Sequence, residues 1–541
     1  MILAAVLTFA VSYIFALRGI DPHHDGVMLK TAWDVSNGLV LFRDTYTQYG
    51  ALSIYYFAVF VRLFGAKVTS IHIAACLLYA LSAAGLFRIV RRYTSSLAAF
   101  AAPMIGIGMA AFYFWNFHPW PNVLVLCMTV WTALFFIRFA EQQSGKNLFA
   151  AGLLSAGMFW CKQPAGLILG FGTVYLIGMY LVGSLDRKSL WGAIREYFIG
   201  NLALHAALLL AIIAQGAFRD WWHQSIYNAY YYVTHPTAET AAAMPDSILK
   251  FYLVGLTDNP KYDWIWRVLT YGTLGYLIVL TVLAFRSKKD GGPSKTLLGC
   301  IAFAAISLSG WIQYYPTLCY RHVFWSDYPM FGVLLVAFYQ GAEKLVSRKG
   351  KKPTLRMLRI LCTVCSCALL CVLCSTNLVV RLRLGKSRLF GGGTGAEWHT
   401  REYAEENTVI LFSDETYHFM DGLYLSAEET EFYRTLFDTM RELQERYPEK
   451  NVVNTTPNAL FSMFSPNNVH LHPFAEKADG YPEQTEVVLH YIETQHPIVL
   501  SYRMYDGYHP EAYLTQYNGD WFRWAPMYIL VPEGGQEHAA G

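Results

Sequence analysis

The chain has 541 residues, of which 54% are hydrophobic and only 15% charged, against about 25% charged in soluble globular domains. A mean hydropathy of +0.28 excludes an ordinary soluble protein. A net charge of +3 gives no basis for a nucleic-acid partner.

Eleven apolar runs read as membrane-spanning helices: 2–17, 68–87, 97–113, 123–139, 148–160, 165–183, 198–218, 268–285, 297–311, 330–345 and 360–380. A span needs about 20 such residues. The first run lacks a basic leader and a small-x-small cleavage site, and Arg18 follows it directly. It reads as a retained helix rather than a signal peptide. The stretch 51–65 is short and holds Arg62, so it reads as interfacial or packed on the bundle. The fifth run is also short, and Cys161-Lys162-Gln163-Pro164 follows it. Pro164 removes a backbone donor, and a lysine at the bilayer centre costs about 2.5–3.5 kcal/mol. Irregular backbone at that depth has to line a cavity. Lys162 therefore either points into a cavity open to the outer face or snorkels to the outer interface.

Lysine and arginine concentrate in alternate loops, at 88–92, 146, 187–195, 286–295 and 348–359. That asymmetry places the N-terminus in the cytoplasm and everything after residue 380 outside. Arg381, Arg383, Lys386 and Arg388 break the rule locally; either they meet lipid head groups or a helix is miscounted. Beyond a glycine hinge at 391–395 the composition turns polar. Strands are expected at 408–412, 451–455 and 497–501. Ser426-Ala427-Glu428-Glu429 is a capping box that opens a helix to about Tyr447, and 482–495 reads as a second helix. The expected fold is a polytopic α-helical membrane protein of about eleven transmembrane helices with a C-terminal soluble α/β domain. Residues 1–385 would form the bundle, including a first outer loop at 19–67, and 386–541 the extracytoplasmic domain. The cysteines at 362–374 fall on several helix faces without His or carboxylate partners and read as small hydrophobes rather than a metal site.

The first outer loop is the richest in chemistry. Asp21, His23, His24 and Asp25 follow the first span at once, then Gly38 to Arg43-Asp44, and Tyr49-Gly50. A carboxylate here can take a proton from a hydroxyl or hold a divalent cation. The acidic pair behind the first helix, the G-x-x-x-x-R-D stretch, the Tyr49-Gly50 turn and the apolar run ending in Phe64-Gly65 together resemble the GT-C superfamily of membrane glycosyltransferases. The nearest pattern is glycosyltransferase family 39: protein O-mannosyltransferases, the lipid A aminoarabinose transferase and the polyprenyl-phosphate galacturonosyl transferases. The resemblance covers about residues 1–345.

That resemblance implies a polyprenyl-phosphate-linked sugar donor, transfer on the outer face, and a first-loop acid serving as base or metal contact. Asp25 occupies that acid's position. Where the family has an Asp-Glu pair this chain has Asp25-Gly26, which leaves open whether Asp21, Asp25 or both act, and whether Mg or Mn is held, with Asp25 and His24 as its contacts. A departing phosphate needs positive charge, and the outer-face candidates are Lys162, Arg43, and Arg321 with His322. Arg321 is a phosphate contact or an interfacial anchor; Arg43 meets substrate or pairs with Asp44. Tyr49 and His118 complete the candidate binding set, His118 alternatively closing a helix end. The aromatic connection 219–263 forms a lid or an interfacial belt.

The leading reading is an inverting membrane glycosyltransferase acting on a glycan, lipid or protein acceptor among membrane lipids. A transporter or lipid flippase would suit the break near Lys162, but no internal repeat and no acid at a span centre support it. A non-catalytic envelope scaffold of the same fold is the third reading.

Overall fold

The computed structural model describes residues 1–47, 49–110, 117, 119–235, 260–314, 320–347, 354–391, 409–465, 482–516 and 525–533. His118 lies outside the described residues, as does the side chain of Arg321.

The apolar runs fold as helices. Chain order begins α1 (Ile2–Ala16), α2 (His24–Ser36), α3 (Ala51–Phe64), α4 (Val68–Tyr93), α5 (Ser96–Ala110), α6 (Pro121–Gln142) and α7 (Gly145–Phe159). A 3-10 turn, Gln163–Leu167, leads to α8 (Ile168–Leu181) and α9 (Arg187–Ala214). Next come α10 (Phe218–Trp221), a π turn Trp222–Tyr227 and α11 (Asn228–Thr234). Then follow α12 (Pro260–Ser287), α13 (Lys295–Leu308), a 3-10 turn Ser309–Tyr314, α14 (Tyr320–Ser347) and α15 (Leu355–Gly391). Six stretches among the described residues are long and apolar enough to cross a membrane: Val68–Tyr93, Pro121–Gln142, Gln163–Leu181, Arg187–Ala214, Trp264–Asp290 and Leu355–Cys374. The protein is thus a multi-pass membrane protein built of helices, with the strands among the described residues confined to its C-terminal part.

Helix pairs approach closely where glycine removes the side chain. A Cβ on Gly152 of α7 would overlap the Tyr197 carbonyl oxygen of α9, and one on Gly200 of α9 would overlap the Phe149 carbonyl oxygen of α7. Asn201 Nδ2 donates to Ser155 Oγ across the same seam at 2.9 Å. Small residues plus one polar bond are how helices adhere where lipid offers no hydrophobic drive.

The helix α15 has 37 residues, about 55 Å at 1.5 Å per residue, whereas the hydrocarbon layer is about 30 Å thick. Its apolar part is Leu355–Cys374. The helical backbone therefore carries Arg381, Arg383, Lys386 and Arg388 beyond the apolar section, which accounts for basic residues there without a further crossing.

The C-terminal part holds β1 (Val409–Leu411), β2 (Tyr424–Ser426), α16 (Ala427–Arg446), β3 (Val452–Asn454), a 3-10 turn Ala459–Phe464, α17 (Pro482–Gln495), β4 (Ile498–Ser501), β5 (Tyr508–Gln516) and β6 (Ala525–Pro532). The capping box of Ser426 and Glu429 forms at the head of α16. Four strands pair in the order β3-β4-β6-β5, with β3 and β4 parallel and the other pairs antiparallel. The β5–β6 pair was not expected: Pro510 interrupts the run, and the ladder accommodates it with a shift between Pro510 and Ala512.

This C-terminal part docks by main chain on the end of the bundle where α1 runs into α2. Gly19 N donates to Tyr424 O and Tyr424 N to Leu17 O, both at 2.8 Å. Leu460 N donates to Pro22 O at 2.8 Å. Lys67 Nζ meets Asp421 Oδ2 at 3.2 Å.

Candidate active site

The segment that follows α1 is not a plain loop. Asp21 Oδ1 accepts from the main-chain N–H groups of His23 and His24 at 3.1 and 3.0 Å. It satisfies donors that a helix start leaves open, and α2 begins there. Its other oxygen lies 2.6 Å from His24 Nδ1. A carboxylate one turn later faces the bundle: Asp25 is 0% exposed. Asp25 Oδ1 accepts from His72 Nε2 at 3.0 Å, and Oδ2 from the Asp21 main-chain N–H at 3.0 Å. His72 stands on α4 and is itself buried. Its Nδ1 has no partner among the described residues. Two N–H donors on separate oxygens fix the orientation of the carboxylate.

Gly26 is required here. A Cβ at this position would overlap the Leu460 amide nitrogen and the Ala459 carbonyl carbon. The family's glutamate could not occupy this place without moving the 459–464 turn, so the departure from an Asp-Glu pair has a packing cause. His23 Nδ1 donates to Pro457 O at 2.8 Å. Tyr433 of α16 is buried nearby. Burial, then Glu429, Asp21 and Asp25 in that order, push its phenol well above the usual range.

A row of aromatic contacts joins the acids to Lys162. The His24 ring meets Trp120 edge-on at 4.5 Å, and Trp120 meets Tyr49 at 4.9 Å. Next to Tyr49, Gly50 N donates to Cys161 O at 3.1 Å and Leu52 N to Trp160 O at 2.9 Å. The break after α7 is thus held by the head of α3. Lys162 is only 8% exposed, and its Nζ donates to the Gln313 main-chain oxygen at 3.2 Å. It points inward rather than snorkelling to solvent. Asn122, the second residue of α6, donates from Nδ2 to Gln313 Oε1 at 3.1 Å. Asp21, Asp25, His24, Tyr49 and Lys162 therefore lie along one belt.

Arg43 is elsewhere. It forks onto Asp44, both bonds at 2.8 Å, and reaches the Gln215 carbonyl oxygen at 3.2 Å. His322 stands on α14 beside Trp325, ring centroids 5.8 Å apart; Trp325 Nε1 donates to Tyr79 OH at 2.7 Å. Asp327, one turn further along α14, is fully buried and accepts from Thr270 Oγ1 at 3.2 Å. The sequence reading missed both His72 and Asp327. The segment 218–235 lies against the first loop: Gln224 bridges Thr47 N and Phe42 O at 3.0 and 2.7 Å, and Asn228 Nδ2 donates to Tyr46 OH at 3.2 Å. Residues 236–259 lie outside the described residues.

The residues offered to a divalent metal, Asp25 and His24, are engaged by protein groups. His24 Nδ1 is turned to Asp21, and both Asp25 oxygens accept N–H groups. Among the described residues, no three His, Cys, Asp or Glu side chains gather in a cation-binding cluster, and a tight all-protein site needs more ligands than that.

Residues 51–188, from α3 into the start of α9, match the family dolichyl-phosphate-mannose-protein mannosyltransferase. No curated protein matches the chain. Among solved structures it is similar to apo ArnT from Cupriavidus metallidurans, with a TM-score of 0.50 and 12% identity over 92% of each chain. ArnT bound to undecaprenyl phosphate follows, with a TM-score of 0.48 and 10% identity over 98% of each chain. The archaeal oligosaccharyltransferase AglB from Archaeoglobus fulgidus, in complex with an inhibitory peptide and a dolichol-phosphate, has a TM-score of 0.39 and 11% identity over 74% of this chain; the protein spans 59% of AglB's length. The chain thus carries a segment similar to the mannosyltransferase family, residues 51–188, within a fold similar to that of apo ArnT.

Proposed function

We propose that the protein transfers a sugar from a polyprenyl-phosphate donor to an acceptor hydroxyl on the extracytoplasmic face. The observation that carries this reading is a buried carboxylate fixed by two N–H donors, with a buried ammonium at the helix break reached through Trp120 and Tyr49. Asp25 takes the proton of the acceptor hydroxyl. The acceptor oxygen attacks the anomeric carbon, and the bond from that carbon to the phosphate oxygen breaks with its electron pair. The polyprenyl phosphate leaves from the opposite face, so the configuration inverts. Lys162 neutralises the charge that develops on the phosphate. His72 orients Asp25, and Asp21 holds the head of α2 in place.

Asp25 is wholly buried, so an acceptor reaches it only as a wall moves. The 459–464 turn rests on the first segment through Leu460–Pro22 and His23–Pro457 and forms one such wall. The distribution of lysine and arginine supports a cytoplasmic N-terminus with the acidic segment and residues 386–541 outside.

The test is Asp25→Asn in the full-length protein. Transfer from a polyprenyl-phosphate sugar should fall by about 10²–10⁴-fold, the usual worth of a general base, with undecaprenyl phosphate binding unchanged. An Asp25→Asn variant that transfers at the native rate removes the proposal.

A further inference from the structure

At the Lys162 end of the belt, two buried amides are only half used. Asn122 is 0% and Gln313 1% exposed. Asn122 Nδ2 donates to Gln313 Oε1, while Asn122 Oδ1 and Gln313 Nε2 have no partner among the described residues. This bookkeeping does not depend on how either amide is turned. Two paired carboxamides use one NH₂ and one oxygen between them; flip both and the leftover is still one NH₂ and one oxygen. Buried groups left in this state are rare. Here one donor and one acceptor are left over, and the main-chain oxygen of Gln313 itself receives Lys162 Nζ.

The complement of one donor and one acceptor is a hydroxyl. It gives its hydrogen to the amide oxygen and takes one from the NH₂ group. An ionised phosphate is acceptor-only and would be repelled by the leftover oxygen, whereas the neighbouring ammonium suits it. A glycosyl phosphate presents both chemistries a few atoms apart. Resting on the transferase reading above, we infer that Asn122 and Gln313 form the donor-sugar subsite, reading a hydroxyl close to the anomeric carbon while Lys162 meets the phosphate. The pair selects among donor sugars by whether that hydroxyl is present; it does not act on the reacting bond.

The experiment measures binding to the purified full-length protein in detergent, by intrinsic tryptophan fluorescence. The probes are undecaprenyl phosphate, undecaprenyl phosphate glucose, its mannose epimer and its 2-deoxyglucose analogue. The native protein should bind at least one hexose conjugate more tightly than the bare lipid phosphate. Gln313→Met and Asn122→Leu should each lose that increment by about tenfold or more, with affinity for the bare phosphate held within twofold. Lys162→Met should weaken all four probes. The double variant, apolar at both positions, should keep the unfolding temperature, because neither partner is then left unpaired, so a lost sugar increment there is not a loss of fold. If a single variant fails to fold, Gln313→Glu removes the donor and reads the same increment. Variants that keep the sugar increment overturn the subsite. So does a native protein that binds the bare phosphate as tightly as every conjugate, in which case the amides hold a structural water only. A native protein that binds none of the probes overturns the transferase reading together with the subsite.

Discussion

Replacing Gly26 by alanine places a methyl group inside the 459–464 turn. The atoms it would overlap are main chain, and the Leu460 Cα stands 2.6 Å from the new Cβ, whereas ordinary contact starts at 3.4 Å. No rotamer relieves this, so the turn must retreat from α2 by at least about 1 Å. Such a retreat takes the Leu460–Pro22 and His23–Pro457 bonds, both 2.8 Å long, out of hydrogen-bonding range. Two bonds at about 1 kcal/mol each, rising to about 2 where a group is left buried and unmet, give about 2–4 kcal/mol. That is roughly 30- to 1,000-fold in the docking equilibrium. The assay is amide hydrogen exchange followed by mass spectrometry, read at 459–464. Exchange at the Leu460 amide should accelerate by that factor. Gly192→Ala is the control: nothing lies within 4 Å of its Cβ, and inside α9 it should be neutral or stabilising by up to about 1 kcal/mol. Exchange at Leu460 that is identical in both variants would refute the reasoning.

Two further outcomes follow from the same geometry. His72→Leu should lower transfer by about tenfold or more by taking the donor from Asp25, while His72→Gln, whose amide can still donate, should recover most of it; equal loss in both would leave His72 a packing residue only. Tyr433, raised in pKa chiefly by burial, carries a share of stability that is complete below its unfolded value of 10.0 and is lost as pH rises through the higher folded value. Tyr433→Phe should therefore reduce the fall in unfolding temperature between pH 9 and pH 11, and an unchanged fall would show that Tyr433 contributes none of it.

Legibility in the sequence followed the strength of each physical signal. The apolar runs announced themselves, because a span must be nearly free of charge. Lys162 stood out for the same reason, a lone cation beside a proline in an apolar stretch. The helix α2 was read as loop because its N-terminal cap is Asp21 acting from three residues before its first turn, and its buried face, Val27, Met28, Thr31 and Ala32, is too brief to register. His72 was invisible: it lies within an apolar run, and its partner is 47 residues away in sequence. Asn122 and Gln313 carry no charge and belong to no motif; only the count of unmet atoms in a packed interior singles them out. Arg43 forks onto the neighbouring Asp44, one of the two partners the sequence left open for it.

The main-chain bonds that tie Gly19, Leu17 and Pro22 to Tyr424 and Leu460 join one stretch to another made roughly 400 residues later. At 5–20 residues per second, the roughly 400 residues between them take about 20 to 80 s to appear. Throughout that interval the acidic turn has already emerged beside the lipid but lacks its outer half. A chain cut short anywhere before the α16 region is born with an open, unfinished centre, so completion of synthesis is itself a condition for assembling it.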